Sequence, residues 1–242
     1  MATNCQNCPL RGRQLFVDLT SDELDFMKEF KIGELSVDAG TTVLLEGSSS
    51  PQLYTALYGM GLRYKMLDDG RRQVVNFVFP GDFIGLQAGV MGEMQHTVEA
   101  TTNMTLCVFS RSEIWSLFKH QPERAYDLTW LAAQEEHFLG ETLATVGQRN
   151  GAERIAWGLL KIYLKGEQLG LAKDGVMKLS YKQAEIADAL GLSLVHTNRT
   201  LKSLREKQIA AWQNDILTIW DLEGLAKIAG TGLDRPKPRP LF

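Results

Sequence analysis

The chain has 242 residues, 44% of them hydrophobic and 23% charged, a globular balance that excludes disorder along most of its length. Its net charge of −3 excludes a uniformly polyanion-seeking protein, yet residues 151–242 carry 14 Lys and Arg against 10 Asp and Glu, and residues 1–150 carry 12 against 19. No run approaches the roughly 18 apolar residues of a membrane span. The opening MATNCQNCPLRGRQ also lacks the apolar centre of a signal peptide, so the expected location is cytoplasmic, with no membrane partner.

Cys5, Cys8 and Cys107 are an odd set without disulfide spacing, as in a reducing compartment. Thr20 to Phe30 (TSDELDFMKEF) opens on a Thr/Ser cap and spaces Leu24, Met27 and Phe30 as a short helix would. From about Gly33 to Phe109 short apolar runs alternate with glycines, and Asp68-Asp69-Gly70 reads as a hairpin turn, a pattern of sandwich or jelly-roll strands. Arg111 to Lys119 restores helical spacing, and a long helix starts near Pro122 and runs to about Gln148. On it Leu128, Leu131, Glu135, Phe138, Thr142 and Thr145 follow a 3-4 spacing, read as a seam joining the helix to its copy in a homodimer; an ordinary packed helix is the alternative. Gln148 to Gly151 is the expected hinge, Ala152 to Lys165 an amphipathic helix, and Asp234 to Phe242 (DRPKPRPLF) a disordered tail.

The basic half holds the strongest local pattern, Ser180 to Lys207 (SYKQAEIADALGLSLVHTNRTLKSLREK), which has the layout of a helix-turn-helix. Helix one spans about Tyr181 to Leu190 with Ile186 and Leu190 inward; Gly191 supplies the turn; Ser193 caps helix two, whose inward stripe is Thr197, Leu201 and Leu204. Ser193, Val195, His196, Asn198, Arg199 and Lys202 are then the candidate DNA contacts. Arg can bind guanine bidentately, Asn adenine, Val a thymine methyl, and Lys a phosphate. Ile209 to Trp212, a Gln-Asn-Asp turn and Ile216 to Trp220 form the wing.

The segments LYTALYGMGLRYKMLDDGRRQVVNFVFPGDFIG and AEIADALGLSLVHTNRTLKSLREKQIAAW, with the helix from Pro122 between them, resemble the CRP/FNR superfamily of bacterial transcription regulators over nearly the whole chain, closer to its FNR-like branch. The resemblance implies an α+β chain: a cyclic-nucleotide-binding-like double-stranded β-helix (residues 1–120), a dimerisation helix and hinge (121–150), a winged helix-turn-helix (151–230) and a flexible tail (231–242). It also implies a homodimer on a pseudo-palindromic promoter site, controlled by a signal at the β-domain, with RNA polymerase as a further partner. The family usually has a Glu where Val195 stands, and the family's Arg matches Arg199.

Gly81, Asp82, Gly85, His96 and Thr97 mark the implied effector pocket. Leu86-Gln87 replaces the family's nucleotide-binding Glu, and Gln95-His96-Thr97 its Arg-Ser pair, which disfavours cyclic AMP because the phosphate would lack a cation. Cys5, Cys8 and Cys107 match three of the four iron–sulfur ligands of the oxygen-sensing branch, with Gln14 or Phe16 at the missing position. A lone C-x-x-C is also half a zinc site, and His96 or His137 as a haem ligand has no supporting motif, so the cofactor is left open. An enzyme is disfavoured: the four histidines include no H-x-H, and no phosphate loop or nucleophile elbow occurs. The competing non-enzyme reading is an effector-binding or scaffold protein with a vestigial helix-turn-helix.

Overall fold

The computed structural model describes residues 2–242. In chain order, a 3-10 turn at Cys5–Asn7 precedes α1 (Ser21–Phe30), β1 (Lys31–Val37), β2 (Thr42–Leu44), β3 (Gln52–Tyr58), β4 (Gly61–Met66), β5 (Arg72–Val78), β6 (Phe83–Ile84), α2 (Leu86–Met91), β7 (Thr97–Ala100), β8 (Met104–Ser110) and a second 3-10 turn at Arg111–Glu113. Then follow α3 (Ile114–His120), α4 (Pro122–Gln148), α5 (Gly151–Gln168), β9 (Ala172–Lys173), β10 (Val176–Lys178), α6 (Gln183–Ala189), α7 (Leu194–Glu206), β11 (Ala210–Gln213), β12 (Ile216–Ile219) and α8 (Leu222–Ala229). Among the described residues no helix is long and apolar enough to cross a membrane.

The chain forms two compact units, one of residues 1–12, 16–135 and 238–242, the other of residues 13–15 and 136–237. The first is the β-domain: two four-stranded antiparallel sheets, β1-β8-β3-β6 and β2-β7-β4-β5. Side chains alternate across a strand, so Tyr54 and Ala56 of β3 and Leu106 and Val108 of β8 enter the core shared with Val98, Ala100 and Ile84. The intervening residues Thr55, Leu57, Cys107 and Phe109 face the other way, and Thr55 pairs in register with Cys107. They are nonetheless buried, because α1 and the chain around Cys5 and Cys8 cover that outer face. The cap of α1 is a capping box in which Thr20 and Glu23 satisfy each other's exposed amides.

One expectation requires correction. The tail is not flexible throughout: Leu241 and Phe242 are buried, and Phe16 bridges to Arg239. Several of the residues expected to form the α4 seam are occupied within their own chain, as the ordinary packed helix would have them. Leu128 and Thr145 are buried within their own chain, Phe138 stacks on Trp157 at 6.0 Å, and Glu135 pairs with Arg63 at 3.0 Å. The open face carries Ala132, Ala133, Leu139, Gly140, Leu143 and Ala144, with Leu143 75% exposed. Both faces repeat at 3-4 spacing, so periodicity alone cannot choose between an intrachain and an interchain partner.

In the second unit α5 is buried almost all round, with Ile155, Leu159, Leu160 and Trp157 in the core. Asn150 caps it by accepting from the Ala152 and Glu153 amides. The wing sheet has the order β11-β12-β10-β9, and its β9–β10 hairpin escaped the sequence reading because two- and three-residue strands leave no periodicity.

Candidate functional site

The recognition helix is α7. Gly191, at φ +63°, takes the left-handed turn between α6 and α7, which a side chain would strain. Ser193 accepts the His196 amide at 3.2 Å and fixes the start of α7. Thr197, Leu201 and Leu204 are buried against the unit, as their spacing requires. Val195, Asn198, Arg199 and Lys202 are therefore turned to solvent, Val195 at 70% exposure. His196 is exposed too, but its ring lies against Gly151, where a Cβ would overlap it, so it packs back toward α5. The hydroxyl of Ser193 is engaged as a cap, which leaves its backbone at the helix N-terminus as the part able to meet a phosphate.

A polar groove of about 370 Å³ runs between α7 and the wing, lined by Gln183, Asn198, Lys202, Arg205 and Asn214 among others. The wing turn, Asn214-Asp215, holds both residues at positive φ, the geometry of a tight two-residue hairpin. Gln183, Arg205 and Asn214 were missed in the sequence. Arg205 follows Asn198 and Lys202 at i+7 and i+3, a helical row that could have revealed it, whereas Gln183 and Asn214 arrive from other elements.

The five implied effector residues each make contacts within the protein. Gly81 lies over the Phe16 ring with no room for a Cβ. Asp82 accepts the Phe79 amide at 2.8 Å and pairs with Arg239 at 2.5 Å. Gly85 caps α2, and Thr97 accepts the Glu46 amide at 3.1 Å. His96 is pushed down to about 4 by burial and by the nearby Arg63 guanidinium, and is neutral at physiological pH. Arg63 donates to the Phe83 carbonyl and pairs with Glu135, which also accepts from Asn76 at 2.6 Å. The cation that a cyclic nucleotide phosphate would require there is thus committed within the protein. Sequence reading missed Arg63, Asn76 and Glu135, because β4, β5 and α4 meet only in the fold.

Cys5, Cys8 and Cys107 line a common apolar pocket with Thr3, Met27, Lys31, Thr55 and Phe242, among others. Burial raises the Cys5 thiol, and Cys107 is raised to about 11, again chiefly by burial, so both are protonated at physiological pH and neither is a ready nucleophile. Cys5 donates to the Met27 carbonyl at 3.7 Å. Lys31, which burial alone would lower, is raised by its hydrogen bond to Glu34 at 2.7 Å. Among the described residues no group of three or more His, Cys, Asp or Glu side chains is placed to hold a metal ion. The three thiols do not fit an iron–sulfur cluster in this arrangement. Phe16, one of the two residues at the vacant ligand position, is buried instead against Gly81 and Arg239.

Residues 34–121 match the cyclic nucleotide-binding domain family, and residues 153–228 the Crp-like helix-turn-helix domain family. The chain is 30% identical over 207 residues to the nitrogen fixation regulation protein FixK of Bradyrhizobium diazoefficiens, covering 83% of each chain. It is 26% identical over 238 residues to the transcriptional activator protein FnrL of Cereibacter sphaeroides, covering 97% of this chain and 95% of the relative. Among solved structures, FixK2 from Bradyrhizobium japonicum superposes with a TM-score of 0.75 at 25% identity, over 82% of this chain and 98% of that one.

Proposed function

The chain belongs to the CRP/FNR family of transcription regulators, and from that premise we propose that it acts as a homodimer that binds a pseudo-palindromic promoter site under control of its β-domain. The observation that carries this reading is α7, where Val195, Asn198, Arg199 and Lys202 stand exposed over a fully buried Thr197-Leu201-Leu204 stripe. Arg199 and Asn198 are the base readers, Val195 supplies an apolar contact in place of the family's usual Glu, and Lys202 and Arg205 take the backbone. Val195 therefore alters the half-site preference, since the carboxylate that reads cytosine is gone.

Two α7 helices are related by the pairing of two α4 helices through the Ala132-Leu139-Leu143 face. That face is mostly small and apolar, with the exposed Glu136 among its residues, and Gly140 and Gly147 leave it open to close approach. Regulation at a promoter places the protein in the cytoplasm with RNA polymerase as its protein partner. Coupling runs through α4, to which the β-domain is tied by Arg63 and Asn76 on Glu135.

The test is an anisotropy titration of a duplex whose half-sites lie about one helical turn apart, with stoichiometry from sedimentation. Two protomers per duplex, and weak binding to one half-site, support the reading. A monomer binding a single half-site at full affinity overturns it.

A further inference from the structure

The pocket on the outer face of the β3/β8 sheet is closed by a segment that composition marked as disordered. Phe242 packs with its ring tilted against Phe83 at 5.3 Å, Phe83 meets Phe109 at 6.1 Å, and Phe109 stacks on Phe30 at 5.1 Å. The Arg124 guanidinium lies 4.1 Å from the centre of the Phe242 ring and donates to the Leu241 carbonyl at 2.5 Å. Arg124 is itself 1% exposed, paired at 2.6 Å with Asp127, and sits in the first turn of α4. Three residues before Phe242, Arg239 pairs at 2.5 Å with the buried Asp82 carboxylate, its guanidinium lies over the Phe16 ring, and its carbonyl accepts the Val17 amide at 3.0 Å.

This is a built seat with two anchors, an Arg on a carboxylate and a Phe in an aromatic box. The rigid prolines Pro238 and Pro240 flank Arg239 and lower the entropy of docking. The occupant does not fill the seat. A cavity of about 40 Å³ remains, large enough for a water or two. On its wall the buried Thr55 hydroxyl and the Arg11 Nε have no hydrogen-bond partner.

We propose that Pro238–Phe242 is a tethered ligand of the β-domain, docked in an Arg-Pro-Leu-Phe groove, and that it gates access to the thiol pocket. Docking shields Cys107 and gives Arg124, at the start of α4, its buried carbonyl and aromatic partners. Undocking exposes both together. This inference does not rest on the DNA reading, and its test does not use DNA.

The test is the rate at which N-ethylmaleimide labels Cys107 in the full chain, read by peptide mass spectrometry at one fixed pH. Arg239→Ala and Asp82→Asn each remove the distant anchor without touching the pocket wall, and Phe242→Ala removes the plug. All three are expected to raise labelling of Cys107 at least about tenfold, because the rate follows the population of the locally opened state. The Arg239→Ala/Asp82→Asn double variant should label no faster than the faster single variant, since the two residues share one interaction. Wild-type rates in Asp82→Asn and Arg239→Ala, with an unchanged circular dichroism spectrum, overturn the proposal. So does faster labelling that appears only together with loss of that spectrum.

Discussion

The recognition helix and the thiol pocket are assembled in opposite ways. On α7 Val195, Asn198, Arg199 and Lys202 lie within eight consecutive residues, and their direction is set by a buried stripe on the same helix. The pocket draws Cys5, Met27, Thr55, Cys107 and Phe242 from five separated segments. A surface built on one helix can be changed residue by residue with nearly independent effects, whereas in a pocket walled by remote segments each wall depends on the others. The one surface is suited to reading a sequence and the other to changing state.

The largest expected effect tests whether the independence of α7 extends across the dimer. Leu143→Asp puts a charge on the exposed face of α4, where a single chain has nothing to lose but a paired helix has a desolvated contact. Sedimentation should show monomers with unchanged thermal stability. Affinity for the palindrome should fall by about 10²- to 10⁴-fold, the gain that linkage of two half-site contacts supplies. A dimer that survives Leu143→Asp removes the seam from this face.

The next effect belongs to the β-domain and sharpens its side of the comparison. His96 is neutral in the fold, with its pKa lowered to about 4 by burial and then by Arg63. An unfolded histidine titrates near 6.5, so between about pH 6.5 and 4 the unfolded chain binds more protons and stability falls as the pH is lowered. At 1.36 kcal/mol per unit the loss is at most about 3 kcal/mol. Denaturant melts at pH 7 and pH 4.5 check it, and His96→Gln should flatten the difference. An unchanged slope in that variant would assign the acid sensitivity to other groups.

The same contrast explains what was legible in the sequence. Helix boundaries, the turn at Gly191, the cap at Ser193 and the exposed row on α7 all follow from spacings within one helix, which a linear pattern records. Jelly-roll strands were legible for the same reason. The sequence could not show that Glu135 turns to Arg63, that Asp82 pairs with Arg239 of the tail, or that Phe242 closes the pocket. Residues 82 and 239 meet across 157 positions, and a proline-rich composition describes the free segment, not the aromatic box that receives it. His196 shows the limit even on α7, since its exposure was predictable and its packing against Gly151 was not.

Arg199→Ala isolates one base contact. The expected loss is about 1–3 kcal/mol, or roughly 5- to 150-fold, confined to operators that keep the base it reads, and with no change in fold because the side chain is exposed. Competition against duplexes substituted at one position per half-site measures it. An equal loss on every duplex would make Arg199 a backbone contact and shift base reading to Asn198 and Val195.

The smallest effect is at Lys202, and it separates the two kinds of contact within α7. Its nearest acidic partner, Glu206, stands 3.8 Å away with both side chains mostly exposed, so the pair contributes little to stability. Removing Lys202 should therefore leave melting unchanged. A lysine on a phosphate releases about one counterion, so Lys202→Ala should weaken all duplexes alike and reduce the slope of log affinity against log salt by about one. Arg199→Ala should instead alter preference among duplexes while sparing most of that slope. If Lys202→Ala changes preference and leaves the slope intact, Lys202 reaches a base edge, and the phosphate contact falls to Arg205, which lines the same groove one helical turn further on.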